Sequence, residues 1–282
     1  MRARAIPPIR VYRDDAGSLR AISDSTVHLV VTSPPYPMIA QWDDTFRRQG
    51  ATDFERMHVV LERAWRAAHR VLVPGGILAV NVGDALRTTA GNFQLWPNQA
   101  EVTRRAVQSG FTPLPYILWK KPTNKPNAFL GSGFLPPNAY VTLDCEFILL
   151  FRKGRLRRFP AHDPRRAASR LTRTERDHWF SQVWSDVRGE RQGGRNGRTG
   201  AFPAEIPRRL IRMFSVRADT VLDPFAGTGT TLWEAARLGR AAIGVERDLS
   251  VYRTLAARAR SFTPPAEGKE GPAAARARRS LR

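Results

Sequence analysis

The sequence predicts an α/β fold, a mainly parallel sheet with helices packed on it. Two observations predict it. Apolar, β-branched runs such as VHLVVT (Val27–Thr32) and ILAVNV (Ile77–Val82) are nearly continuous rather than alternating, as strands buried on both faces are. Between them Phe54, Met57, Val60, Leu61, Ala64, Trp65, Ala68 and Leu72 recur at three- and four-residue spacing, the period of a helix with one apolar face. With 282 residues, 42% of them hydrophobic, the chain can bury a real core and suits one large domain or a domain with an insertion.

The elements follow in order. Residues 1–13 carry four arginines and no acid, and a short β-like run precedes Val27–Thr32. That second strand stops at Ser33-Pro34-Pro35-Tyr36, where two prolines cannot donate to a ladder. A helix is predicted over 53–72, ended by Pro74-Gly75-Gly76, with the Ile77–Val82 strand next. Pro115–Trp119 and Glu146–Phe151 are strand candidates, separated by a Pro-, Asn- and Gly-rich loop over 120–140. Residues 152–200 hold 14 basic and 5 acidic residues and end in GGRNGRTG, a long irregular segment of the kind that serves function or is disordered. Trp179, Phe180 and Trp184 argue against disorder throughout. The core pattern returns with a helix over Pro203–Phe214, a strand at Thr220–Asp223, a Gly/Thr loop over 224–231, a helix at Leu232–Leu238, a strand at Ala241–Val245 and a last helix to about Arg260. Residues 263–282 read as a disordered basic tail.

Composition narrows the function. Lys and Arg number 46 against 25 Asp and Glu, a formal net charge of +21. Such an excess favours a polyanionic partner, nucleic acid first, although only five of the 46 are lysine, a bias that genomic base composition also produces. The single Cys145 excludes a disulfide framework and a Cys-rich zinc module; it reads as a core residue at the start of a strand. The five histidines form no ligand-spaced pair, so no metal site is expected. No apolar run approaches the ~18 residues of a membrane helix, and MRARAIPPIR lacks the apolar region of a secretory signal. The reading is a cytoplasmic protein with no membrane association.

Two segments carry chemistry. VLDPFAGTGTTLWEAARLGRAAIGVE (221–246) runs strand, glycine loop, helix, strand, acid. Glycine permits positive φ and lets backbone N–H groups approach a ligand, and Glu246 stands where an acid meets ribose hydroxyls in nucleotide-type α/β folds. No Gly-Lys-Ser/Thr follows, which excludes a P-loop, and Leu232 replaces the third glycine of a dinucleotide site. The loop suits a nucleoside ligand without a pyrophosphate; S-adenosyl-L-methionine is one. The Ser33-Pro34-Pro35-Tyr36 turn offers a hydroxyl, carbonyls without competing N–H groups and an aromatic face. These are the parts needed to hold an exocyclic amine on a planar base.

Together these motifs resemble the DNA amino-methyltransferases. TSPPY resembles their catalytic Asp/Asn/Ser-Pro-Pro-Tyr/Phe element and DPFAGTGTT their cofactor element, and the order, catalytic element first, is similar to the circularly permuted beta class. VLVPGGILAVNVGD, LWKKPTNKPN, LDCEFILLFRKG and FPAEIPRRLI extend the resemblance over roughly residues 9–260. It implies a Rossmann-like S-adenosylmethionine-dependent fold, circularly permuted, with a basic target-recognition insert: a catalytic half at 1–151, a target-recognition region at 152–200, a cofactor-binding half at 201–262 and the tail. It implies that Asp223, Phe225, Gly227, Thr228, Gly229 and Thr230 surround the methionine end of the cofactor, that Glu246 holds the ribose, and that Asp14 or Asp15 sits near the adenosyl end. Phe202 and Pro203 match the helix start that closes the pocket. Ser33, Pro34, Pro35 and Tyr36 would be catalytic, and serine in the first position goes with cytosine N4 in most members. The expected substrate is a flipped base in double-stranded DNA, with a cognate restriction endonuclease as a functional partner. Methylation of adenine N6, and a non-catalytic DNA-binding protein on the same fold, stand as alternatives. Lys120, Lys121 and Lys125 flank the cleft as candidates for backbone contact, and Trp119 reads as core.

Overall fold

The computed structural model of the chain describes residues 8–121, 141–188 and 202–263. Lys125, the GGRNGRTG stretch and the basic tail beyond Thr263 fall outside the described residues.

The first third of the chain supplies one edge strand and two central strands of the main sheet. β1 (Ile9–Arg13) and β2 (Val27–Thr32) come first, then α1 (Asp43–Arg47), α2 (Phe54–Val71) and β3 (Leu72–Val82). Asp53 caps α2 by accepting from the Arg56 N–H, and the apolar spacing in the sequence becomes its buried face of Met57, Leu61, Ala64, Trp65 and Ala68. The helix ends at Val71, and extended backbone begins at Leu72. Pro74-Gly75-Gly76 is therefore not its terminator. Those residues lie inside β3, which starts five residues before Ile77, and the register against β2 slips there between the Val27–Leu72 and Leu29–Ile77 pairs. A proline and two glycines are compatible with a strand at such an irregularity, where ladder pairing lapses.

A hairpin of β4 (Ala85–Thr89) and β5 (Asn92–Trp96) follows, then α3 (Asn98–Gln108), β6 (Phe111–Lys120) and β7 (Cys145–Lys153). The hairpin and α3 have weak sequence patterns. In α3 only Val102 and Ala106 supply buried apolar side chains, and buried Arg105 ties it to Glu55, Glu62 and Glu101. Residues 154–188 are more ordered than their composition suggests. They form α4 (Pro164–Ala167), α5 (Arg173–Trp179) and β8 (Val183–Trp184). Trp179, Trp184 and Val187 are buried. Arg157 makes a bidentate pair with buried Asp219 at 2.6 and 3.0 Å. Trp119 is core as expected and donates its indole N–H to the Val187 carbonyl at 2.9 Å. Cys145 does begin a strand, but it is only half-buried.

The last stretch, α6 (Glu205–Phe214), β9 (Thr220–Asp223), α7 (Thr230–Arg237), β10 (Ala241–Glu246) and α8 (Leu249–Ser261), follows the sequence pattern closely. The main sheet runs β1-β10-β9-β2-β3-β7-β6-β8. Its pairs from β1 through β3 are parallel, and β7 lies antiparallel between β3 and β6. One apolar core fills each face: Trp65, Leu61 and Phe151 on one, Ile206, Leu210, Leu232 and Trp184 on the other. Among the described residues no helix is long and apolar enough to cross a membrane.

Candidate active site

The chain leaves β2 and β9 at the same edge of the sheet, because these parallel strands are paired, Leu29 with Val221 and Val30 with Leu222. Here the strand order reverses: β9 leads outward to β10 and β1, β2 outward to β3. Ligands of open α/β sheets bind beyond the carboxyl ends of strands at such a point. Two motifs about 190 residues apart in sequence thus become neighbours. Thr32 Oγ1 joins them, donating to Asp223 Oδ1 at 2.7 Å.

On the β9 side, the Phe225 N–H donates to the same Asp223 oxygen at 3.1 Å. Burial pushes the Asp223 carboxyl up to about 6, against the lowering effect of these hydrogen bonds. A buried carboxyl so placed would gain from a cationic ligand group. The loop turns through Gly227 (φ 49) and Gly229 (φ 84). Gly229 precedes α7, and a Cβ there would lie 2.6 Å from Leu255 Cδ1 and 2.7 Å from Trp233 Cζ2; no other residue fits. A Cβ at Gly227 would meet the Phe225 carbonyl at an ordinary contact distance of 3.9 Å, and the Gly227 N–H donates to Glu246 Oε2 at 3.0 Å. Thr228 is exposed, and Thr230 begins α7. Phe202, buried beside Ala226 and Leu232, and Pro203 lead into α6.

Arg13 pairs with Glu246 in the sheet register, which brings Asp14 and Asp15 to the same edge. The two acids differ in state. Asp14 is committed to its own turn, accepting from Ser18 Oγ and from the N–H groups of Asp15 and Arg20. Asp15 accepts from the Gly17 N–H through Oδ1 and turns Oδ2 toward Arg247 at 3.5 Å.

On the β2 side, the turn is held by residues from four other segments. Asn98 Nδ2 donates to the carbonyls of Pro37 and Gly83, each at 3.0 Å. Gly83 lies so close to the Tyr36 ring that a Cβ there would stand 3.3 Å from Cε2. The Tyr36 hydroxyl lies 3.0 Å from Ser33 Oγ, 3.0 Å from Glu146 Oε2 and 2.8 Å from Asn81 Nδ2. Lys121 Nζ donates to Glu146 Oε1. Burial, reinforced by the Glu146 charge, holds the Tyr36 phenol well above its usual range, so it keeps its proton.

The Ser-Pro-Pro-Tyr turn, the glycine loop, Glu246, Asp14 and Asp15 therefore lie at one edge of the sheet, and Phe202 is buried in the apolar core on one face. Asn81, Asn98, Lys121 and Glu146 were not predicted as parts of this turn. Asn81 had a signal: a lone amide inside the apolar run ILAVNV. Of the arginines in 152–188, Arg157 and Arg165 are engaged with Asp219 and Asp163, which makes them poor candidates for gripping phosphate.

A family model described as DNA methylase (N6_N4_Mtase) matches residues 27–257. The chain belongs to this family of N6/N4 amino-methyltransferases. Family members of known sequence include type II methyltransferase M.MjaI of Methanocaldococcus jannaschii, 52% identical over 86% of this chain and 88% of that protein. Another is M.MthZI of Methanothermobacter thermautotrophicus, 42% identical over 85% and 73%. A putative DNA modification methylase of Thermus thermophilus, crystallised with S-adenosyl-L-methionine, superposes with a TM-score of 0.73 at 36% identity, covering 89% of this chain and 95% of that one. The PvuII methyltransferase shares the fold, at a TM-score of 0.66 and 18% identity. The fold is thus the circularly permuted Rossmann-like methyltransferase fold, the chain is a DNA methyltransferase of the beta-class type, and its cofactor is S-adenosyl-L-methionine. The residues present fit that cofactor: the buried Asp223 carboxyl could meet an ammonium, and Glu246 at the end of β10 could meet hydroxyls.

Proposed function

We propose that the protein transfers a methyl group to cytosine N4 of a base flipped out of double-stranded DNA. The observation that carries this reading is Ser33, at the head of the Ser-Pro-Pro-Tyr turn, one residue beyond the Thr32–Asp223 hydrogen bond that joins the turn to the glycine loop. An exocyclic amine is out of reach in a stacked duplex, so the base must leave it. Tyr36 presents a ring on which a base can stack. Ser33 Oγ and the Pro34 carbonyl accept from the two N–H bonds of the amine. Holding both orients the nitrogen lone pair, otherwise delocalised into the ring, and favours a more sp³-like nitrogen on which it is localised. When bound, S-adenosyl-L-methionine would supply the electrophilic methyl group. Positioning and electrostatics carry the rate, with no covalent enzyme intermediate.

Asp223, Phe225, Gly227, Thr228, Gly229 and Thr230 are assigned to the methionine end of the cofactor, Glu246 to its ribose, Asp14 or Asp15 to its adenosyl end, and Phe202 and Pro203 to the pocket wall. Residues 152–200 are assigned to target recognition, their arginines other than Arg157 and Arg165 contacting phosphates and guanine edges. Affinity for DNA should then fall with salt, with a log–log slope of about −0.9 per neutralised phosphate. The protein is assigned to the cytoplasm, acting on chromosomal DNA alongside a cognate endonuclease. Methylation of unmethylated bacterial DNA with a labelled donor, followed by digestion to nucleosides and mass spectrometry, tests the reading. N4-methylcytosine is the expected product; N6-methyladenine moves the chemistry to adenine, and no incorporation refutes it.

A further inference from the structure

The Tyr36 hydroxyl has one proton and three polar neighbours, and their chemistry decides where the proton goes. Asn81 Nδ2 only donates, and it donates both to Tyr36 Oη at 2.8 Å and to Glu146 Oε2 at 2.6 Å. The Glu146 carboxylate only accepts, taking Asn81 and Tyr36 on Oε2 and the Lys121 ammonium on Oε1. Tyr36 therefore gives its proton to Glu146 and accepts from Asn81 and from Ser33, whose Oγ is 3.0 Å away. Ser33 has then spent its own proton, and its remaining side carries lone pairs alone. Asn81 is held in this sense at a cost: its buried Oδ1 has no partner among the described residues. Turning the amide over would set that oxygen against the carboxylate.

We propose that Glu146 is a positioning residue that fixes the direction of the hydroxyl chain Ser33 to Tyr36 to Glu146, and that the proton lost by the methylated amine leaves along it. The inference rests on Ser33 as the acceptor of the amine. When the new N–C bond forms, the donor's S–C bond breaks with its electron pair left on sulfur, and the nitrogen carries a positive charge. The nitrogen gives one proton to Ser33 Oγ, Ser33 passes its own to Tyr36 Oη, and Tyr36 passes its own to Glu146 Oε2. A neutral secondary amine and a protonated Glu146 result, and half-exposed Lys121 marks the route to solvent. Charged or titratable groups around this carboxylate are Lys121 and Lys120 at the end of β6, Asp144 and Cys145 just before it, and Tyr36 across from it. Lys120 faces Asp144 rather than Glu146, at 3.8 Å.

The test is Glu146→Gln, in which Lys121 attracts the amide oxygen and leaves the amide N–H₂ facing Tyr36, reversing the chain. Single-turnover methyl transfer to unmethylated bacterial DNA should slow by about a hundredfold, the scale of lost general-base assistance. Cofactor affinity by calorimetry should stay within about threefold. Glu146→Asp should restore part of the rate. A second readout needs no turnover. In ligand-free protein labelled with ¹³C-tyrosine, Tyr36 should titrate well above the ordinary tyrosine value and shift downward in E146Q. If E146Q transfers within about threefold of wild type, or leaves the Tyr36 titration unmoved, the inference fails. If E146Q does not fold, Tyr36→Phe decides: it keeps the ring, and a full rate overturns the chain. A fully active Ser33→Ala would instead sink the reading of Ser33 itself.

Discussion

The glycine loop after β9 and the Ser-Pro-Pro-Tyr turn after β2 are neighbours joined by hydrogen bonds from Thr32 to Asp223 and from Thr231 to the Val31 carbonyl, yet they are built in opposite ways. The glycine loop is local. Its shape comes from consecutive residues, with Gly227 and Gly229 at positive φ, a helix start at Thr230 and a strand-end acid 19 residues beyond Gly227. The Ser-Pro-Pro-Tyr turn is assembled from afar. Its hydroxyls are set by Asn81 from β3, Lys121 after β6 and Glu146 from β7, and its backbone is stapled by Asn98 from α3. A site that binds by backbone can be encoded in one segment, whereas a site that must fix the direction of protons needs side chains from several.

This contrast can be broken by substitution. The largest effect is expected from Tyr36→Ala, which removes a stacking surface of ~1–3 kcal/mol and a hydrogen-bonded hydroxyl of ~1 kcal/mol. Single-turnover transfer should fall by up to several hundredfold with cofactor affinity preserved. Asp223→Asn should act in the opposite sense on stability. The folded-state value of about 6 lies above the ordinary 3.8, so the fold holds this proton more tightly than the unfolded chain does. Stability is then greatest at low pH and is lost as pH rises from about 4 to about 6. An asparagine still accepts from Thr32 and Phe225. At pH 7 it should stabilise the cofactor-free protein by up to about 3 kcal/mol, taking ~1.36 kcal/mol per pH unit, and flatten that slope in thermal melts, while weakening cofactor binding.

Glu246→Ala should cost about 2 kcal/mol of cofactor affinity, the scale of a hydrogen bond to a charged group, or roughly thirtyfold in Kd. Transfer at saturating cofactor should change little. Thr32→Val, which cuts the hydrogen bond from the end of β2 to Asp223, should cost about 1 kcal/mol of stability and move the Asp223 transition upward. If it leaves both untouched, the motifs are neighbours without coupling.

The same contrast explains what could be read from the sequence. β9, the glycine loop, α7 and β10 follow one another in the chain, and each has a local signal: a short apolar run, glycines, an amphipathic period. The strand ahead of Ser33 was legible for the same reason. The partners of Tyr36 were not, since their meaning arises only when β7 inserts antiparallel beside β3 and brings Glu146 across to Asn81. The irregularity at Pro74-Gly75-Gly76 misled because proline and glycine punctuate helices and bulged strands alike. In α5 and β8 the burial of Trp179 and Trp184 was masked by the arginines around them. Several of those arginines are occupied within the protein, as Arg157 is by Asp219.

The most direct test is Ser33→Ala measured twice on one preparation, by single-turnover methyl transfer to DNA and by calorimetric titration with S-adenosyl-L-methionine. Two adjoining sites with separate tasks predict a rate lowered by at least about a hundredfold, the scale of one lost transition-state hydrogen bond in a preorganised site, and an unchanged Kd. An undiminished rate, or a Kd weakened in step with it, would contradict the account.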